Sequence, residues 1–315
     1  MRAKKITYLL FFVIALLIVN PSRYFSSVEQ GVRIFALSVL PSMLPYFFFT
    51  KLLTSIGGAE GLSKSIGRPI GKVYKVGGAC GYAFVMSVLS GYPVGARVLS
   101  DLADQGCVSG GEAARACSFC STSGSMFVLG SVGSQILSDQ KAAWVILICH
   151  YIGALLNGLL YCRKRSGNFC VTLSPVQKKS ADSALSEAMY ESVISLALVG
   201  GFIAVCNLAA DMFSDVISFM GGGAFFEKGN VFGGIVFSVF EVTRGCLVFS
   251  ECAFPRFLTA ALCCAAISFG GLSVIMQSLS FLGKYGVSAG KIALMKGTQA
   301  ILSFVLCFSA GYLFL

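Results

Sequence analysis

The sequence predicts an all-α polytopic membrane protein made of two inverted-topology repeats, each with a re-entrant helical hairpin and a broken transmembrane helix. Three observations carry the prediction. First, the 315 residues are 56% hydrophobic and only 12% charged, with a mean hydropathy of +0.81; a soluble domain carries about 25% charged residues. Second, apolar runs of the roughly 20 residues that span a bilayer recur along the chain. Third, two polar, glycine-rich interruptions fall inside apolar runs in each half. Lipid cannot satisfy a non-helical backbone, so such breaks persist only where protein buries them or water reaches them. Broken segments at matched places in two halves point to a transporter's binding site.

The elements follow in order. Residues 6–19, after the basic start Met1 to Lys5, read as an anchor helix; Asn20-Pro21-Ser22-Arg23 follows where a cleavage site would need small residues. Residues 32–56 form a second span carrying Pro41 and Pro45. The run 76–103, interrupted at Ser90-Gly91-Tyr92-Pro93, is too short to cross twice and reads as a hairpin. Residues 112–137 cross once, broken at Ser121-Thr122-Ser123-Gly124-Ser125, and 142–161 cross back. The second half repeats the order: a span at 193–220, a hairpin at 231–250 broken at Glu241 to Gly245, a span at 257–282 broken at Ser268 to Ser273, and a final span at 298–315. The predicted units are residues 1–30 (anchor helix and loop), 31–162 (repeat one), 163–184 (a basic cytoplasmic linker) and 185–315 (repeat two, inverted).

The net charge of +10 does not indicate nucleic acid, because the basic residues are scattered over short loops. With the N-terminus in the cytoplasm, most lysines and arginines fall on the cytoplasmic side. Only Arg23, Arg33, Lys141, Lys228 and Arg256 fall outside, with Arg244 in the membrane, as the positive-inside bias requires. The two hairpins then enter from opposite sides. Most of the 13 cysteines lie in apolar runs and read as small hydrophobes. Cys117 and Cys120 form an isolated C-x-x-C without a second pair, and the lone His150 reads as a structural hydrogen-bonding residue. No metal site, cofactor or enzyme activity is expected: no H-E-x-x-H, nucleotide-binding loop or Asp-rich motif is present.

The residues also carry a resemblance. Leu40-Pro41-Ser42-Met43-Leu44-Pro45, Ser90-Gly91-Tyr92-Pro93-Val94-Gly95-Ala96 and Glu112-Ala113 leading into Ser118 to Ser125 resemble the YlbJ family of sporulation integral membrane proteins. Phe240-Glu241-Val242-Thr243, Gly245 and Ser268-Phe269-Gly270-Gly271-Leu272-Ser273-Val274 with Gln277 extend the resemblance over essentially the whole chain. It implies the nucleoside-recognition, or gate, domain group, which includes concentrative nucleoside transporters. It further implies a role in endospore formation, moving dipicolinic acid across the outer forespore membrane.

A small organic anion is therefore the expected partner, with a coupling proton or sodium ion and the bilayer; the oligomeric state is left open. Such an anion needs donors, which helix N-termini and hydroxyls supply. The expected binding residues are Gly91, Tyr92, Pro93, Gly95 and Arg97 at the first hairpin, and Ser121, Thr122, Ser123, Gly124 and Ser125 at the first break. Glu241, Thr243, Arg244 and Gly245 follow at the second hairpin, and Ser268, Gly270, Gly271, Ser273 and Gln277 at the second break. Arg97 and Arg244 suit carboxylates, though Arg97 could instead snorkel and Arg244 pair with Glu241. Glu241, read as the one acid central to an apolar stretch, could carry a proton, line the site or hold Arg244. Thr243, Gln277 and Asn207 could equally be helix-to-helix contacts. A permease for nucleosides or other polar metabolites, and a non-transporting spore-maturation scaffold, are the alternatives.

Overall fold

A computed structural model describes residues 2–55, 58–162 and 181–315. All regular structure among the described residues is helical. Helix α1 spans Arg2–Val19 and ends at the Asn20-Pro21 step. Helix α2 (Pro21–Ile34) continues through a π-helical turn, Phe35–Val39, into α3 (Leu40–Ser55). The π turn ends just before Pro41, whose missing N–H and ring would otherwise strain the ladder. The second span thus begins more than two turns earlier than its apolar run suggests, because Asn20-Pro21 starts the helix and Ser22 to Gln30 continue it.

After α4 (Gly58–Tyr74) the first hairpin forms from α5 (Cys80–Ser90) and α6 (Val94–Asp104). Helix α7 (Gly110–Cys120) starts on a capping box in which Ser109 and Glu112 satisfy each other's backbone N–H groups. It stops at Ser121–Gly124, resumes as a π-helical stretch, Phe127–Ile136, and turns into α8 (Gln140–Leu160). Most of the predicted linker lies outside the described residues, and its last positions are helical. Helix α9 (Ala181–Ile217) is continuous for 37 residues, about 55 Å, so the segment carrying Glu187 and Glu191 joins the span predicted at 193–220. The second hairpin is α10 (Val231–Phe240) and α11 (Val242–Glu251). The broken span is α12 (Arg256–Phe269) and α13 (Gly271–Leu282), and the chain closes with α14 (Ala289–Phe314).

Helix α14 corrects the expected start of the last span by nine residues. Ser288 caps it by accepting the Lys291 N–H, so Lys291 and Lys296, assigned to a cytoplasmic loop from sequence, are helical. The arrangement is inverted, as the contacts at the two ends of α8 show. Near its C-terminal end, Tyr74, just ahead of the first hairpin, donates to the Leu155 carbonyl at 2.9 Å. At its N-terminal end, Asp139 caps α8 and pairs with Arg256, just after the second hairpin. The two hairpin bases therefore stand at opposite ends of a helix about 31 Å long. At the first base Asp104 accepts from Lys284 (2.5 Å) and Tyr285 (2.6 Å), which holds its carboxyl below the usual range.

The repeats interlock. Helix α8 packs on α12 and α14, α13 packs on α6, and α2 and α3 pack on α9. The buried Asn157 of α8 donates to Ser118 O and Met295 O and accepts from Thr298. Two apolar clusters fill the interior, one around Phe47, Val128, Ile146, Leu196 and Ile267, the other around Leu99, Phe119, Leu282 and Ile292. Side chains such as Ile148, Leu160, Ile301 and Val305 face outward, as a lipid-facing surface requires. Among the described residues five helical stretches are long and apolar enough to cross a bilayer: Pro21–Leu53, Gln140–Leu160, Ala184–Phe226, Arg256–Tyr285 and Ala289–Phe314.

Candidate functional site

Each hairpin tip rests directly on the break of its own repeat, and glycine makes the approach possible. Gly91 follows α5 with φ at +79°, and a Cβ there would lie 2.4 Å from Gly124 N. A Cβ on Gly95 would lie 1.7 Å from the carbonyl oxygen that ends α7 at Cys120. Ser87 accepts the freed Thr122 N–H at 2.9 Å and meets its hydroxyl at 2.6 Å. In the second repeat Gly271 has φ +73°, and its Cβ would meet Phe240 O at 2.9 Å. A Cβ on Gly245 would lie 1.9 Å from the Ser238 hydroxyl. Gly270, also left-handed, joins α12 to α13. Pro93 takes the N-cap of α6 rather than its first turn.

Two side chains then tie the repeats together. Tyr92, at the first tip, donates to Ile267 O in α12 at 2.6 Å. His150, fully buried in α8, accepts the Ser123 N–H at Nε2 (2.9 Å) and contacts Ser268 Oγ through Nδ1 (2.8 Å). With Nε2 accepting, the neutral ring carries its proton on Nδ1 and donates it to Ser268. One imidazole thus bridges both breaks, a specific form of the structural role expected for it.

Between the tips lies a cavity of about 40 Å³. Its lining is mostly apolar, with Met43, Phe127 and Ile203 among the residues, and it includes the polar residues Tyr92 and Ser123 from repeat one and Glu241, Thr243, Ser273 and Gln277 from repeat two. Glu241 caps α11, accepting the Arg244 N–H at 2.8 Å and the Thr243 hydroxyl at 3.1 Å. Its carboxylate occupies the positive end of the helix dipole. Among the described residues Gln277 Oε1 is buried without a hydrogen-bond partner, which leaves an acceptor available beside the cavity.

Six of the residues singled out from sequence therefore meet at one cavity. Gly91, Pro93, Gly95, Ser121, Thr122, Gly124, Gly245, Ser268, Gly270 and Gly271 build the breaks and tips behind it, and Ser125 opens the next helical turn outside its wall. Neither arginine lines it. Arg97 pairs with Glu191 (3.2 Å), which also holds Lys51 at 2.6 Å. Arg244 pairs with Asp211 at 2.5 Å, donates to Asn207 Oδ1 at 2.9 Å and lies over the Phe237 ring. Glu241 thus meets the Arg244 backbone while the guanidinium goes to Asp211. Asp211 is itself a buried intramembrane acid in α9, so Glu241 is not alone in that respect. Asn207 also donates to Ser27 O and joins α9 to α2.

Sequence reasoning missed Lys296. It is 1% exposed, and its Nζ donates to Ser121 O (2.7 Å), Gln299 Oε1 (3.0 Å) and Tyr92 Oη (3.4 Å). Starting the last span at Thr298 hid it; the Ser288 cap was the signal that moves the start. Among the described residues no group of three or more His, Cys, Asp or Glu is placed to hold a metal ion, and Cys117 and Cys120 are buried free thiols.

The chain is similar to known proteins in sequence and in fold. No family model matches the chain. Over 301 residues it is 26% identical to the sporulation integral membrane protein YlbJ of Bacillus subtilis (strain 168), covering 87% of this chain and 74% of that protein. That agrees with the resemblance to the YlbJ family carried by the sequence motifs. Among solved structures, a variant of CNTnw, a concentrative nucleoside transporter, in an outward-facing state superposes with a TM-score of 0.59 at 15% identity, covering 99% of this chain and 86% of that one. A second variant in an intermediate state gives 0.53 at 16% identity, covering 98% and 84%. The chain therefore shares its fold with a helical membrane transporter.

Proposed function

We propose that the chain is a carrier that moves a small organic anion across a bacterial membrane by alternating access, with dipicolinate during sporulation as its substrate. The observation behind this reading is the convergence of both hairpin tips and both helix breaks on one cavity, into whose mostly apolar lining both repeats place polar side chains. Hairpins entering from opposite ends give the cavity two doors: withdrawal of the first exposes it to one side, withdrawal of the second to the other. The volume of about 40 Å³ has room for only a few waters. In the proposed cycle a solute the size of dipicolinate enters it only when a hairpin moves. The proposed membrane is the outer forespore membrane, with the N-terminus in the mother-cell cytoplasm.

Glu241 shapes the chemistry. A second carboxylate brought against it in a low-dielectric site is repelled unless one of the two is protonated. An anionic substrate would therefore travel with a proton. The same residue favours a second reading, in which a neutral polar metabolite such as a nucleoside hydrogen-bonds to Glu241, Gln277 and Thr243.

Counterflow in proteoliposomes separates the readings. Purified protein exchanges labelled dipicolinate, and in Glu241→Gln the flux loses its response to an imposed pH gradient. Exchange of labelled nucleoside without dipicolinate selects the second reading. Exchange of neither, with the protein folded and inserted, refutes the carrier and favours a membrane scaffold.

A further inference from the structure

Helix α7 ends inside the bundle, where Ser121 and Thr122 are buried, and its terminal carbonyls have lost their intrahelical partners. In transporters with broken helices, such carbonyls and half-helix C-termini hold the coupling cation. Here the Ser121 carbonyl, the first beyond α7, is met by a side chain instead: the Lys296 ammonium, 2.7 Å away.

Hydrogen-bond counting favours the protonated form of that amine. Its three partners all act as acceptors. Ser121 O and Gln299 Oε1 can do nothing else, and Tyr92 Oη gives its own proton to Ile267 O at 2.6 Å. Three acceptors match the three N–H groups of an ammonium, whereas a neutral amine has only two. The Tyr92 ring adds to the cradle, its centroid 4.7 Å from Nζ. No carboxylate lies within ion-pair reach of Lys296 among the described residues. The positive charge is therefore held by neutral oxygens and an aromatic face, the donor set that would hold a desolvated alkali cation. Those ligands come from three places at once: the first hairpin tip (Tyr92), the first break (Ser121) and the last helix (Gln299).

We propose that the Lys296 ammonium is a built-in cation that clamps the first hairpin tip to the broken helix, so that this gate closes without a dissolved metal cation. The proposal rests on the carrier reading for its role in gating, though its cation chemistry can be tested without transport. It narrows the choice of coupling ion: sodium is not required at the first gate, and the proton remains for the Glu241 side.

Thermal unfolding and flux in sodium, potassium and choline chloride test it. Wild-type protein should unfold at the same temperature in all three salts and carry substrate equally in sodium and choline. Lys296→Ala opens a space the size of the lost ammonium. Its flux in choline should fall ~10- to ~100-fold, the factor expected for a lost charge-assisted hydrogen bond. Sodium or potassium should then raise both its unfolding temperature and its flux. Lys296→Met, which fills the space with apolar atoms, should lose flux without responding to any cation. A wild-type protein that unfolds higher in sodium, or that needs sodium for flux, overturns the proposal. So does a Lys296→Ala protein that no alkali cation restores, which would make the lysine a packing element only. Where the variants fail to fold, the wild-type salt comparison decides alone. If the wild-type protein carries no solute tested, the unfolding series still reads the cation site, so failure of the carrier reading is distinguishable from failure of this one.

Discussion

His150 is the residue through which the two breaks feel each other, and replacing it tests that link directly. His150→Phe keeps a ring in a fully buried site but removes both nitrogens. Two polar groups lose their partner, the Ser123 N–H and the Ser268 hydroxyl. An orphaned buried donor or acceptor costs about 1–3 kcal/mol, so the substitution should destabilise the protein by about 2–6 kcal/mol. Ser268→Ala alone orphans the imidazole Nδ1–H and costs about 1–3 kcal/mol by the same reasoning. The informative variant is the double. With phenylalanine at 150 and alanine at 268, only the Ser123 N–H remains unpaired, so the double should cost about 1–3 kcal/mol, less than His150→Phe by itself. A second substitution that restores stability is a strong signature of a direct bond. Unfolding in detergent, followed with a thiol-reactive dye, provides the assay, since eleven of the twelve cysteines in the described residues are buried until the fold opens. Costs that simply add, within about 0.5 kcal/mol, would refute the bridge.

Two other substitutions probe the charges and the close approaches. Asp211→Ala leaves the Arg244 guanidinium without its carboxylate in a site where the side chain is only 12% exposed. The expected cost is about 3–5 kcal/mol, and adding Arg244→Met should recover part of it; an Asp211→Ala protein as stable as wild type in the same dye assay would show that the pair does not matter. Gly95→Ala puts a methyl group into the Cys120 carbonyl and should cost about 1–3 kcal/mol or more. Gly297→Ala, where nothing lies within 4 Å, should be neutral or stabilise α14 by about 0.5–1 kcal/mol; equal losses at the two positions would contradict the packing described for the first hairpin tip.

The architecture was legible because lipid enforces it. A polar break in an apolar run has few permitted outcomes, so Ser90 to Pro93, Ser121 to Ser125, Glu241 and Gly270 each marked a real interruption. Helix starts were less legible. Hydropathy finds the apolar middle of a helix and not its cap, so the Ser288 cap was overlooked and Lys296 passed for a loop residue. Partners were the least legible of all. Arg97 and Arg244 are suited to a carboxylate, and each found one within the protein, in α9 at Glu191 and Asp211. Nothing local at either arginine indicates a partner so far along the chain. The isolated histidine gave a similar problem: its type and burial were predictable, but the two serines it joins were not.

The clasp formed by α8 with α12 and α14 has a consequence for how the molecule can work and how it could have arisen. Neither half owns a complete interior, since Asn157 of one holds the backbone of the other and Tyr92 reaches across to Ile267. Cutting the polypeptide between the halves should leave fragments that fold only in each other's company. It also limits the motion available: two handclasped bundles cannot rock past one another as rigid halves. In the proposed carrier the stroke would fall to the short hairpins, sliding against a stationary frame.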